Sequence, residues 1–411
     1  MENFSGYKKF FLIAAFLLAV LLTGYFIYTL FFKPTFTGTE TGKKIEPTTG
    51  GQLPTAQPGQ FATSTGEEEP TDEGLPVSAT TASAKADGGL TQVFELNKNS
   101  VLSPSLSSNG RDIQYYDKAD GKFYRINKNG EVSALSDKIF HSVEKVTWSP
   151  NDSQAILEYP DGSNIIYNFV TKKQTTLPQH WKDFNFSPSG DRIVMKSMGT
   201  DPGNRWLAIA NNDGSKVQAI EPLGNEDDSV YTDWSPNNQM IAMHTKGIDF
   251  NRQEVYFIGL NNENFKSTII EGRGFQPQWS PQGNQLVYSV YSSDNDMKPQ
   301  LWVVDAQGDS IGNNRQRLNV ETWAEKCTFA SQSKIYCAVP ENLPKGAGLF
   351  PELAKSTRDN LYEIDINTGL RKLVAVPEGS YNMSNLLVAS NGDNLFFTDA
   401  NTEKIYKIEL K

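Results

Sequence analysis

The feature that most constrains this chain is a word that recurs seven times: an aromatic residue, Ser, Pro, then a small polar turn. The better copies read VLSPSLSSNGRDIQYY (101–116), VTWSPNDSQAILEY (146–159), FNFSPSGDRIVMKS (184–197), TDWSPNNQMIAMHT (232–245) and PQWSPQGNQLVYSV (277–290). Two degenerate copies follow, CTFASQSKIYCAV (327–339) and LLVASNGDNLFFTD (386–399). Each unit carries a second word downstream, an apolar strand ending in a polar turn, from KFYRINKNG (122–130) to KIYKIEL (404–410). Both words alternate with a period of two and are punctuated by Gly, Asn, Asp and Pro, which predicts short antiparallel strands joined by hairpins. A four-stranded unit of ~46 residues fits the period of propeller blades. The expected fold is therefore all-β, a propeller of seven four-stranded blades, with six as the alternative count.

The chemistry of the first word explains its recurrence. The aromatic closes an inner strand and wedges between neighbouring sheets, Pro sets φ for the turn, and Asn, Asp or Gly accepts the positive φ that comes next. The last unit stops at Lys411 after its third strand, while TQVFEL (91–96) is strand-like and has no partner of its own. That stretch is expected to complete the last blade and so remove two free sheet edges.

These words, best around Trp148, Phe186, Trp234 and Trp279, resemble the WD-repeat-like propeller repeat of TolB and TolB-like proteins, also seen in the propeller of prolyl oligopeptidases. The resemblance spans residues 91–411 and implies the fold while saying little about function. TolB-like proteins typically place six blades behind a small α/β domain, whereas here an apolar segment and a linker precede seven units.

Residues 10–32 are 23 consecutive uncharged, mostly apolar residues, about 35 Å as a helix. They are expected to form an uncleaved transmembrane helix behind a short cytoplasmic head (1–9), because no cleavage site follows Phe32. Lys8 and Lys9 flank one end and Lys33, Lys43 and Lys44 the other, so charge alone does not orient the span. The short head resembles a signal anchor, which puts the bulk outside. Residues 33–90 are Thr, Gly, Pro or Ser at 30 of 58 positions and cannot bury a core, so a disordered linker is expected there. Its acidic run, Glu67 to Glu73, reads as solvating charge.

Composition narrows the chemistry. A formal charge of -10 argues against nucleic acid as a partner. Three histidines (His141, His180, His244) and two cysteines, scattered along the chain, offer no zinc site. Asp294 and Asp296 alternate as in a calcium loop but lack its Gly and terminal Glu. No Gly-x-Ser-x-Gly elbow, phosphate loop or dinucleotide fingerprint occurs, and no α/β-hydrolase domain is expected after residue 411. The Asp-Gly pairs at 161–162 and 213–214 read as hairpin turns, and Asp305 and Asp365 as turn caps. No catalytic residue, cofactor or metal is expected. Cys327 and Cys337 lie on the two arms of one predicted hairpin, so they can form a cross-strand disulfide. A one-residue slip would instead leave two buried thiols on opposite faces.

Binding residues are expected on the face that carries the second-to-third-strand loops. Those loops are short in the first two units and long in units three to six (198–205, 244–253, 291–299, 340–359). The longest holds exposed-looking Leu349 and Phe350 before a short helix at PELAKS. It is either a contact site or a lid on its own blade. One aromatic precedes each inner strand, Phe140, Trp181, Tyr231, Phe275, Trp323 and Tyr381. Such a set makes either a ligand-stacking ring at the channel mouth or inter-blade packing. Arg205, Lys246, Arg252 and Arg358 add positive charge to the long-loop sector. The expected function is a membrane-anchored extracytoplasmic scaffold that binds a protein or an envelope polymer. The alternatives are a channel-centred enzyme of lactonase, glycosidase or cyclase type, or a sensory ectodomain.

Overall fold

The computed structural model describes residues 16–23, 25–26, 81–261 and 263–411. Residues 16–23 and 25–26 are helical. The rest of the expected span, the head and the linker as far as residue 80 lie outside the described residues. Among the described residues, no helix is long and apolar enough to cross a membrane.

Residues 101–411 fold into seven antiparallel sheets, each built from consecutive strands. The inner strands are Val101–Leu106, Lys145–Trp148, Trp181–Phe186, Val230–Thr232, Arg273–Trp279, Cys327–Phe329 and Met383–Val388. The architecture is an all-β propeller of seven blades, as the repeat count requires. Blade seven contributes three strands of its own, and Phe94–Glu95 pairs antiparallel with Ile405–Glu409 to supply the fourth. The expected closure by TQVFEL holds. Contacts with the blades also begin before the expected boundary at 91. Leu90–Thr91 adds a parallel fifth strand to blade six, and Ala86 N donates to Glu409 O.

The turn after the inner strand is built alike in four of the blades. In blades two to five, Ser149, Ser187, Ser235 and Ser280 are buried, and each Oγ accepts from the first backbone N–H of the next strand, at 2.9–3.2 Å. The residue three places on is left-handed: Asp152 (φ 57°), Gly190 (72°), Asn238 (60°) and Gly283 (68°). Those are the residue types that tolerate positive φ. With the register fixed there, the aromatic before each serine lands against the preceding blade. Phe186 packs on Ile156 and Ile166 of blade two, Trp234 on Val194 and Leu207 of blade three, and Trp279 among Met243 and Phe257 of blade four.

The turns are also stitched to one another. Ser107 Oγ and Ser108 N donate to Asp152 of the next blade, Asn237 Nδ2 donates to Gly283 O, and Ser390 N donates to Gly110 O across the seam between blades seven and one. One expected loop is absent. Residues 244–253 continue the strands Met240–Asp249 and Arg252–Gly259 into a long hairpin, because pairs such as Thr245 with Val255 keep the ladder going to a two-residue tip. Removing residues 81–96 would uncover the outer edges of blades six and seven. We expect a soluble 97–411 chain to melt below 81–411 and to self-associate, read by thermal unfolding and light scattering.

Candidate functional site

The candidate site is the face that carries the second-to-third-strand tips and the inner-strand entrances. Its centre is the channel mouth, a cavity of about 980 Å³ lined by the entrances of the inner strands of blades one to four and seven. Four inner strands, those of blades one, three, five and seven, carry a bulge with a left-handed residue in it: Ser103, Asp183, Gly274 and Asn385. The other three pair without a shift. A bulge turns carbonyls out of the ladder, and neighbouring blades take them up. Trp148 Nε1 donates to Ser103 O (2.8 Å), Thr232 Oγ1 to Asp183 O (2.6 Å) and Asn385 Nδ2 to Pro104 O (2.7 Å).

Asp183 brings charge to this rim. Lys196, almost fully buried, pairs with it at 2.7 Å and donates to Asp227 O at 2.8 Å. Lys182 and Arg205 reach the Asp227 carboxylate at 3.1 and 3.7 Å, and Lys118 meets Glu403 at 2.8 Å. Burial opposes ionisation of Asp183, but the hydrogen bond and charge of Lys196 outweigh it and hold the carboxyl below its ordinary value. At Glu158 burial wins and raises the carboxyl, with Lys145 at 3.5 Å offsetting part of the effect. The cations at this rim are thus paired with carboxylates of the protein itself.

The aromatics expected to form a stacking ring are largely spent on packing. Phe140, Trp181, Phe275 and Trp323 are buried, because each sits where one blade's outer edge hands over to the next blade's inner strand and fills that seam. Phe140 meets Phe123 and Tyr167, and Tyr381 packs on Phe397 and Tyr406. Tyr231 lines the channel mouth and abuts Phe275 edge-on. Trp323 carries the blade-six insertion, with buried Ala347 and Ala354 seated against it. The insertion also leans on blade five through Gly346 N to Asp296 O, Gly348 N to Met297 O and an ion pair of Lys345 with Asp296. A Cβ at Gly348 would lie 2.6 Å from Tyr291 Cβ, so only glycine fits there. The expected helix at PELAKS is a single 3₁₀ turn, Pro351–Ala354. Leu349, Phe350 and Leu353 remain 43–52% exposed.

The expected arginines are distributed along this face. Arg205 joins the Asp227 cluster, Arg252 pairs with Asp249 at 2.7 Å, and Arg358 pairs with Glu341 at 2.8 Å. Behind the insertion lies a buried network with no sequence motif. Lys326 Nζ donates to Asp359 Oδ2 (2.6 Å) and Asn382 Oδ1 (2.8 Å), and Asn382 Nδ2 donates to Ala354 O (2.9 Å). Burial holds the Asp359 carboxyl above its ordinary value despite Lys326. Cys327 and Cys337 are joined by a disulfide, directly opposite one another across the first two strands of blade six. The register thus decides between the two readings of that hairpin. His141 and His180 are exposed and His244 stacks on Tyr256. Among the described residues no group of three or more His, Cys, Asp or Glu is placed to hold a metal. The Asp-Gly pairs form turns, with Gly162 and Gly214 left-handed, and Asp365 caps its turn through the Asn367 and Thr368 amides.

No family model and no curated protein sequence matches the chain. Solved structures with similar architecture include the β-propeller domain of Cps50 (Swd1) from Myceliophteria thermophila, with TM-score 0.51 and 9% identity over 78% of this chain and 100% of that one. A prolyl endopeptidase aligns with TM-score 0.51 and 13% identity over 77% of this chain and 49% of its own. An oligogalacturonate lyase in complex with manganese aligns with TM-score 0.49 and 12% identity over 78% and 93%. At such identities the likeness is one of fold.

Two substitutions test this electrostatic picture. Asp233, directly after the blade-four inner strand, has no carboxylate partner among the described residues, and burial pushes it up to about 7. The folded pKa is raised above the ordinary value of 3.8, so the cost to stability grows as pH rises through that interval and is complete above about 7. We expect Asp233→Asn to stabilise the fold at pH 8 and the gain to shrink steadily as pH falls from about 7 towards about 4, read by denaturant titration. Lys326→Met strands Asp359 in the interior and should cost about 3–5 kcal/mol.

Proposed function

We propose that this protein is a membrane-anchored binding scaffold. Residues 10–32 span the cytoplasmic membrane, the Thr/Pro/Gly-rich segment after them acts as a tether, and the propeller stands on the extracytoplasmic side. There its loop-rich face captures a protein or an envelope polymer without a chemical step. The observation that carries this reading is the insertion of blade six, whose base is fixed on Trp323 and blade five while Leu349, Phe350 and Leu353 face solvent. Apolar side chains held out on a preorganised support lower the ordering cost of binding, and such patches mark interaction surfaces.

Other features agree with this reading. The Cys327–Cys337 disulfide suits an oxidising compartment. Phe16, Leu17, Leu18, Val20, Leu21 and Leu22 are exposed around the helical residues of the span, as lipid contact requires. The TolB-like reading of the repeat belongs with this proposal, since it too concerns an envelope propeller. A second reading, a lactonase-, glycosidase- or cyclase-like enzyme in the channel mouth, draws on the opposite shifts of Glu158 and Asp183.

Affinity capture from native membranes tests the scaffold. Soluble 81–411 should retain a protein or polymer that the triple variant Leu349→Ser, Phe350→Ser, Leu353→Ser releases, with unchanged melting temperature. Equal retention by both would overturn the role of the insertion. Turnover of a lactone or glycoside that Glu158→Gln abolishes would favour the second reading.

A further inference from the structure

We propose that the cavity between blades four and five is a saccharide-binding site that takes a neutral stretch of an envelope polymer, a proposal that rests on the scaffold reading above. The cavity holds about 560 Å³. It is bounded by the blade-four hairpin tip, Asp249 to Arg252, and by Glu271, Asp294, Gln300, Trp302 and Arg317.

Its walls are preformed. Asn251 Nδ2 donates to Ser293 Oγ (2.6 Å) and Ser293 N donates back to Asn251 Oδ1 (3.0 Å), which clamps the tips of the two blades together. Gly272 N donates to Asn251 O (2.6 Å) and Arg273 Nη1 to Asp249 O (3.1 Å), fixing the hairpin from below. A cavity held this way needs little ordering when a ligand enters.

Three groups in it lack a use within the protein. The Gln300 side chain, 7% exposed, makes no hydrogen bond to any described residue. Its amide is open to solvent at the cavity wall, where water or a ligand can bond to it. Trp302 Nε1 likewise has no acceptor. Phe250 stands at the hairpin tip, 66% exposed, where it supports no core.

The ligand class follows from the balance of these groups. A hydroxyl both donates and accepts, and the cavity offers donors (Gln300, Arg252, Arg317) beside acceptors (Asp249, Glu271, Asp294). Phe250 supplies an aromatic surface for the apolar face of a sugar ring. Two guanidinium groups against three carboxylates give no excess positive charge, which disfavours a polyanion.

The test is titration calorimetry of the full chain in lipid nanodiscs with cellotetraose, chitotetraose and maltotetraose, and with an uncharged tetrapeptide as control. At least one tetrasaccharide should bind. Phe250→Ala and Gln300→Leu should each weaken it by about tenfold or more, while Val170→Ser, an exposed turn residue of blade two outside the cavity, leaves its affinity unchanged. The proposal is overturned if no tetrasaccharide gives heat at about 10 mM, if both site variants bind as the parent does, or if the tetrapeptide alone binds. The two proposals fail separately. Flat sugar titrations with membrane capture still lost in the triple variant would sink this site and leave the scaffold standing, and sugar binding without capture would do the reverse.

Discussion

A buried serine hydroxyl that holds the turn after an inner strand is the interaction on which the rest depends. It fixes where the second strand starts, and in a two-residue period a slip of one place would send every side chain to the other face. With the register set, Phe186, Trp234 and Trp279 reach the preceding blade, and the sheets cover each other around the ring. In blade six, where Ala330 stands in place of the serine, the hairpin pairing puts Cys327 opposite Cys337. Closure by Phe94–Glu95 completes the ring with residues from the other end of the sequence.

The two faces divide the work. On the serine-turn face, neighbouring turns bond to one another through Asp152, Asn237 and Ser390. The opposite face gathers the bulged inner strands, the long hairpin of blade four and the insertion of blade six. Because the first face holds the ring together, the second can vary its loops without loss of the fold.

The repeat, the strand alternation, the positive-φ turns and the closing strand were legible in the sequence because each is a local pattern. The serine's role was hidden in plain view: the word shows Ser, but only burial reveals that its hydroxyl is consumed by the next strand. The bulges at Ser103, Asp183, Gly274 and Asn385 have no common residue type, so no motif announces them. The one-per-junction aromatics were visible, yet whether Trp181 or Trp323 faces ligand or protein depends on the neighbouring blade. Of the expected contact residues, Leu349 and Phe350 are exposed and Arg252 borders a cavity. Gln300 and Phe250, which give that cavity its character, carry no spacing signal because they come from two different repeats.

The central claim is that a rigid propeller displays this face outside the membrane. The direct measurement is labelling of sealed cells with a membrane-impermeant amine reagent, followed by mass spectrometry of Lys246 and Lys345, both exposed on that face. The account predicts that both are modified before the cells are opened. Labelling only after permeabilisation would contradict it.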